Sequence, residues 1–304
     1  MNDKQNTDIS IIIPTHNNCV GLSGTIDSIL LQEGIEDICF DLFIVDNNSK
    51  DNTKQIVEQY IKDKGDLIHY IFELQKGISY ARNAALRLAT GNIIAFTDDD
   101  CIADKNWMRN LVDTYQKYQP DAVQGKIEWG VDVPDDTDYP RWFLEQRIAK
   151  VDYFDHIAEF TDKDLVGANM SIRREIYEKC GGFSTNMLYR VNEDTEFSRR
   201  ITKLGVKKVY NPNAVIYHHF NLARINNKKL IYQSYYFGRS SIVLEESHIS
   251  WQRHLRFCVK QLVINFCALW MQYNKKSFFL TECKVAALWG RCVQLVRTNV
   301  FKIN

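Results

Sequence analysis

The 304-residue chain is 45% hydrophobic and 25% charged, the proportions of an ordinary globular protein, which excludes a disordered or fibrous one. Its 38 basic and 38 acidic residues cancel, so no overall charge draws it to nucleic acid. The cancellation is uneven: residues 251–304 hold nine Lys or Arg and one acid, Glu282, a net +8, which leaves −8 on residues 1–250.

Residues 9–14 (ISIIIP) are a short apolar, β-branched run and predict a buried strand closed by Pro14. Thr15, His16, Asn17 and Asn18 follow as a polar loop, and a helix is expected over 24–32. Residues 41–45 (DLFIV) predict a second strand with Asp46 directly behind it. A turn through Asn47, Asn48 and Ser49 leads to a helix ending near Asp63, capped by Asp51 or Thr53. Residues 67–72 predict a third strand. Ser79 is placed to cap a helix in which Ala81, Ala85 and Leu88 or Ala89 share a face, and Gly91 ends it. Residues 93–96 (IIAF) read as a fourth strand running into Asp98, Asp99 and Asp100, ahead of a helix over 104–118. Strands alternating with helices predict a parallel sheet covered on both faces.

Three adjacent carboxylates cannot sit inside a buried strand, because isolated buried charge is very costly. They belong beyond its C-terminal end, where open α/β sheets bind ligands. Two readings fit this stretch alone: an acidic turn capping the next helix, or a divalent-cation site carrying a phosphorylated ligand. Thr15, Asp46 and Asp98 all follow strand C-termini, so three loops deliver polar groups to one sheet edge, which favours the site. Neither GxGxxG nor GxxxxGK[ST] follows the first strand, which disfavours a dinucleotide fold and a P-loop. Phosphate can instead meet Lys76, Gly77, Ser79 and Arg82, the last in the first turn of its helix, where free N–H groups favour anions.

Residues 120–165 read as a long surface crossing anchored by Trp142 and Phe143; Trp129, Tyr139 and Trp142 can stack on a ligand ring or pack in the core. Residues 165–180 predict a small-residue turn entering a helix closed by Gly181 and Gly182. Asn192, Glu193 and Asp194 open a helix that ends at Gly205, with Asp194 as N-cap or as a base facing the sheet edge. Short strands over 206–210 and 215–217 follow, the second ending in His218 and His219, either structural or partners for a metal. Eight cysteines without a CxxC pair give no support to a zinc knuckle or a dithiol redox motif. The polar start, MNDKQNTDIS, has no signal-peptide core, so a cytoplasmic protein with reduced thiols is expected.

Taken in order, SIIIPTHN, FIVDNNSKD, KGISYARNAAL, FTDDDC, GANMSIRREIYEKCGGF, NEDTEFSRRITKLG and VIYHH resemble the family 2 glycosyltransferases across residues 9–220. The resemblance implies a GT-A fold, an α/β architecture with a mostly parallel central sheet flanked by helices, over residues 1–225, and a helical extension over 226–304. It implies an inverting enzyme that moves a sugar from a UDP-, GDP- or dTDP-sugar to a hydroxyl of a saccharide or lipid-linked acceptor, in polysaccharide or glycoconjugate assembly. It assigns donor contacts to Pro14, Thr15, Asn17, Asp46, Asn48, Gly77, Arg82, Asn83, Asp98 and Asp99. It assigns Mg2+ or Mn2+ to Asp98, Asp100 and His218, sugar and acceptor to Gly167, Asn169, Glu193 and Trp142, and the catalytic base to Asp194. Asn47 stands where relatives often carry a second acid, and FSRRI departs from the QxxRW of processive, membrane-spanning members, which favours a single transfer. A nucleotidyltransferase is disfavoured by PTHNNCVGL in place of a Gly-rich loop, and an aspartyl-phosphate hydrolase by Cys101 and Ile102 after the acids. A catalytically silent sugar-nucleotide-binding scaffold would need neither Asp100 nor Asp194.

Residues 251–304 predict two or three helices. Their longest uncharged run, 261–274, is 14 residues, short of the roughly 20 that span a bilayer. Phe257, Leu262, Phe266, Leu269 and Trp270 can share an apolar face beside Arg253, Arg256 and Lys260. Such a face suits peripheral contact with the inner face of the cell membrane, packing on the catalytic domain, or a homodimer.

Overall fold

The computed structural model describes residues 7–134, 137, 139–186, 192–222, 225–244, 251–269 and 275–299. Two compact units emerge. The first comprises Met1–Asp132, Ala149–Thr185 and Asp194–Phe220. Its first half runs β1 (Ile9–Thr15), α1 (Cys19–Leu30), β2 (Phe40–Asp46), α2 (Thr53–Lys64), β3 (Ile68–Phe72), α3 (Ile78–Leu86) and β4 (Ile93–Phe96). These four strands lie parallel in the order β3-β2-β1-β4. Every residue of β1 and β4 is buried, which is why both read as unbroken apolar runs rather than alternating ones. Within β1 the polar Ser10 accepts the Gly91 amide at 2.9 Å and is so satisfied in the core.

Beyond β4 the sheet becomes mixed and departs from the expected elements. β5 (Cys101–Ala103) follows the acids directly, ahead of α4 (Trp107–Tyr118). β6 (Ala122–Trp129) occupies part of the expected surface crossing and lies between β8 (Met170–Arg173) and β9 (Lys208–His218). Its Gln124 and Gly125 break the apolar signal, yet Gln124 is fully buried: Nε2 donates to the Gly125 and Asn169 carbonyls, and Oε1 accepts the Val166 amide. β8 pairs antiparallel with both β4 and β6 and precedes α6 (Arg174–Cys180), so the helix expected from 165–180 occupies only the end of that stretch. The two short strands expected over 206–217 are one strand, β9, whose register with β6 shifts after Gly125. β7 (Ala158–Phe160) pairs with β9, and α7 (Glu193–Thr202) completes these elements.

The second unit comprises Val133–Ile148, Asn186–Glu193 and Asn221–Asn304. The helical extension therefore recruits a segment that lies far earlier in the chain than residue 226. The reason is aromatic packing: Phe143 of α5 (Arg141–Arg147) meets Phe279 edge-on, and Arg147 stacks over Phe143 and Phe237. α8 (Asn227–Leu244) and α10 (Lys275–Asn299) cross closely at two glycines. A Cβ on Gly238 would lie 1.8 Å from the Ala287 carbonyl oxygen, and one on Gly290 would lie 2.0 Å from that of Tyr235. α9 (Trp251–Leu269) packs Leu262 inward, whereas Phe257 faces solvent, so these two do not share the expected face. The side chains of Phe266, Leu269 and Trp270 lie outside the described residues. Among the described residues, no helix is long and apolar enough to cross a membrane.

Candidate active site

Register brings the loops together. Thr15 pairs with Asp46 at the ends of β1 and β2, Ile12 pairs with Phe96, and the loops after β1, β2 and β4 open on one edge. Pro14 is buried within β1 opposite Val45. Asp99, the middle acid, turns toward β1. It accepts the Thr15 hydroxyl at 2.6 Å, the His16 amide at 3.4 Å and Asn18 Nδ2 at 3.0 Å. Burial pushes its carboxyl up to about 7; the Thr15 hydrogen bond opposes the rise and the neighbouring Asp100 adds to it. Both Asp99 oxygens are thus committed to holding the first loop against the acids.

The second loop is built as tightly. Asp46 is buried, accepting the Ser49 amide at 2.7 Å and the Tyr70 hydroxyl at 2.8 Å. Asn47 donates to the Glu73 and Gln75 carbonyls and accepts the Gly77 amide at 2.8 Å. A carboxylate there could not donate, so the amide that stands in place of a second acid ties β2 to the entrance of α3. Asn17 and Asn48 both adopt left-handed backbone, with φ of 53° and 63°. Asn17 crosses to the second loop, its amide donating to Ser49 Oγ and its Oδ1 accepting the Lys50 amide.

Arg82 is 1% exposed. Its Nη2 donates to Asp98 Oδ1 at 3.2 Å and its guanidinium lies 5.1 Å from the centre of the Phe183 ring. Gly167 lies against the same guanidinium, so close that a Cβ there would come within 2.4 Å of Nη2. The Gly167 amide donates to Asp194 Oδ2 at 3.0 Å, and Asp194 Oδ1 accepts the Thr195 amide at 2.8 Å. Asp98, Arg82, Gly167 and Asp194 therefore form one connected row. Burial drives the Asp98 carboxyl up, Arg82 pulls it down, and Asp100 and Asp194 are near enough to raise it further.

The β5–β9 pairing sets Cys101 opposite His218 and brings His218 Nε2 to 3.2 Å from Asp100 Oδ1. Ligand atoms of Asp100, Cys101 and His218 all lie within 4.8 Å of one another. Burial, then the charges of Asp98 and Asp100, push the Cys101 thiol well up, so it stays neutral. The donors that remain are a carboxylate and an imidazole, with Asp98 alongside, a set that suits a hard or borderline divalent cation. Burial opposes protonation of His218, but the hydrogen bond and charge of Asp100 outweigh it and raise the imidazole's pKa. His219 points elsewhere. Its ring presses on Gly130, where a Cβ would lie 2.2 Å from Nε2, and its amide donates to the Asp100 carbonyl at 2.7 Å.

Asn83 spends its amide on the Phe183 backbone, donating to the carbonyl and accepting the N–H, both at 2.8 Å. Asn169 is buried and accepts the Trp107 indole N–H while donating to the Lys126 and Ala214 carbonyls, so its side chain is structural. Glu193 is buried at the start of α7. Trp142 belongs to the second unit, where it is 53% exposed and meets Phe143 edge-on. Tyr70, Asn18 and Phe183 support the site without having been expected there. Tyr70 was within reach of the sequence, since it lies in a predicted strand beside the one ending in Asp46.

This fold is that of a GT-A glycosyltransferase, a class that transfers sugars from nucleotide-sugar donors in glycoconjugate assembly. A profile of the family described as Glycosyl transferase family 2 matches residues 10–181, more than half of the chain, and the chain belongs to that family. It is 27% identical over 253 residues to a glucosyl-dolichyl phosphate glucuronosyltransferase of Haloferax volcanii, covering 78% of this chain and 77% of that one. Glycosyltransferase AglE of the same organism is 24% identical, with 65% and 62% covered. Among solved structures, the mannosyltransferase PcManGT of Pyrobaculum calidifontis, in complex with GDP-Man and Mn2+, superposes with a TM-score of 0.63 at 19% identity, covering 95% of this chain and 88% of that one. GalNAc-T7 with UDP, GalNAc and Mn2+ gives 0.59 at 17%, covering 78% and 52%. At such identities the structures show the fold alone.

Proposed function

We propose that the protein is an inverting, metal-dependent transferase that moves a hexosyl group from a nucleotide-diphosphate sugar to a hydroxyl of a lipid-linked saccharide at the inner face of the cell membrane. The observation that carries this reading is the meeting of two groups at one sheet edge: the Asp100–His218 pair and the row from Asp98 through Arg82 and Gly167 to Asp194. Asp98, Asp100 and His218 would hold Mg2+ or Mn2+. When bound, such a cation offsets charge that builds on the departing diphosphate. Arg82, fixed by Asp98 and the Phe183 ring, adds a preorganised positive charge beside it. Asp46, with Thr15, Asn17, Asn48 and Gly77 from the neighbouring strand end and loops, takes the nucleoside.

Asp194 is oriented by the Gly167 and Thr195 amides. It removes the proton from the acceptor hydroxyl as that oxygen attacks the anomeric carbon from the face opposite the diphosphate. One displacement inverts the configuration. Gly167, beside Arg82 and Asp194, is the candidate for sugar and acceptor contact. The lipid-linked acceptor is supported by the relative from Haloferax volcanii, named for action on glucosyl-dolichyl phosphate. Thermal-shift measurements with UDP-, GDP- and dTDP-sugars, each with Mn2+, with Mg2+ or with chelator, test the reading. A metal-dependent shift with one donor class is expected; no shift with any donor would overturn it.

A further inference from the structure

Helix α9 has two faces of different chemistry. Trp251, Leu255 and Leu262 pack inward around buried Cys258, Cys292 and Leu295. Arg253, Arg256, Phe257, Lys260, Val263 and Ile264 are all exposed. At about 100° per residue they occupy one arc of less than half a turn. Phe257 and Val263 are each 58% exposed and Ile264 is 50% exposed. The helix contains no acidic residue.

The mixture selects the partner. Exposed apolar side chains grouped on one face mark a contact surface. Three cations in the same arc demand an anionic partner, and the apolar groups demand a phase that excludes water. Nucleic acid would meet the cations but leave Val263 and Ile264 in water. A second copy of the chain, meeting this face across a two-fold axis, would set like charges against one another. An anionic bilayer meets both needs: its headgroups pair with the cations, whose alkyl stems lie along the surface, and its acyl boundary takes the apolar groups.

We propose that α9 lies on an anionic lipid surface through Arg253, Arg256, Phe257, Lys260, Val263 and Ile264. The proposed function places the acceptor at such a surface, but lipid binding is measured without donor or acceptor, so the two readings fail separately.

The test is flotation of the full-length chain with vesicles of phosphatidylcholine alone or mixed with phosphatidylglycerol. The protein is expected to float with the anionic vesicles and to lose binding as salt rises. Replacing Arg253→Gln, Arg256→Gln and Lys260→Gln together should weaken partitioning about a hundredfold, because each cation near an anionic surface is worth about fivefold. Phe257→Ser with Ile264→Ser should also weaken it while leaving the light-scattering mass unchanged. All five positions are exposed, so the helical circular dichroism should match the parent. Absence of wild-type binding to anionic vesicles, or undiminished binding by the triple variant, would overturn the proposal. Conversion of an oligomer to a monomer by the serine variant would instead assign the face to a second copy.

Discussion

Asp194 and Asp98 reach one place from positions far apart in the chain, and the Gly167 amide and the Arg82 guanidinium connect them. If Asp194 is the base, Asp194→Asn should slow transfer about a hundredfold to ten-thousandfold while the donor dissociation constant stays within a factor of about two. Initial rates and calorimetric donor titration check this; a matching loss of donor affinity would make Asp194 a binding residue. Gly167→Ala should behave differently. Its Cβ would push on Arg82 and disturb the amide that orients Asp194, so both donor affinity and rate should fall. The acids were legible in the sequence because three carboxylates behind an apolar run have few places to go. The structural roles of Asn83 and Asn169 were not legible. Their partners, Phe183 and Trp107, lie 100 and 62 positions away, and an amide's chemistry does not reveal whom it binds.

At the scale of elements, β6 and β8 were hidden and β1 to β4 were not. β1 and β4 are buried throughout and β2 over its last five residues, so they write burial directly into composition, and β3 shows as a short apolar run beside them. β6 carries Gln124 and Gly125 into the core because neighbouring backbone satisfies the glutamine, which no local pattern announces. Asn169 joins this region to α4. Asn169→Ala would leave the Trp107 indole N–H and the Lys126 and Ala214 carbonyls without that partner, at a cost of about 3 kcal/mol or more. A lowered urea midpoint would show it. In the second unit, Gly290→Ala offers a test of sign. Intrinsic helix propensity alone would stabilise α10 by up to about 1 kcal/mol. The approach of Gly290 to the Tyr235 carbonyl predicts net destabilisation instead, read as a lower melting temperature with less helical signal retained.

For the whole molecule, the charge asymmetry follows the two units: the sheet unit is acidic and the helical unit basic. The candidate site concentrates carboxylates that a cation would compensate. Chelation should therefore abolish transfer, and Mn2+ or Mg2+ should restore it. His218→Ala should raise the metal concentration needed for half-maximal rate by at least about tenfold while leaving some activity, because Asp98 and Asp100 stay in place. An unchanged metal requirement would remove His218 from the ligand set.

From the sequence alone came the strand-and-helix alternation, the polar residues behind β1, β2 and β4, the family, and the basic tail. Each depends on local chemistry and short-range periodicity. Only the tertiary structure decided which side chains meet. Pairing of β5 with β9 chose His218 over His219 for Asp100, the loop after β4 turned Asp99 toward Thr15, and packing of α9 placed Phe257 outside and Leu262 inside. Those outcomes rest on strand register and packing between distant segments. A shift of one residue in a strand reverses the side chains it presents.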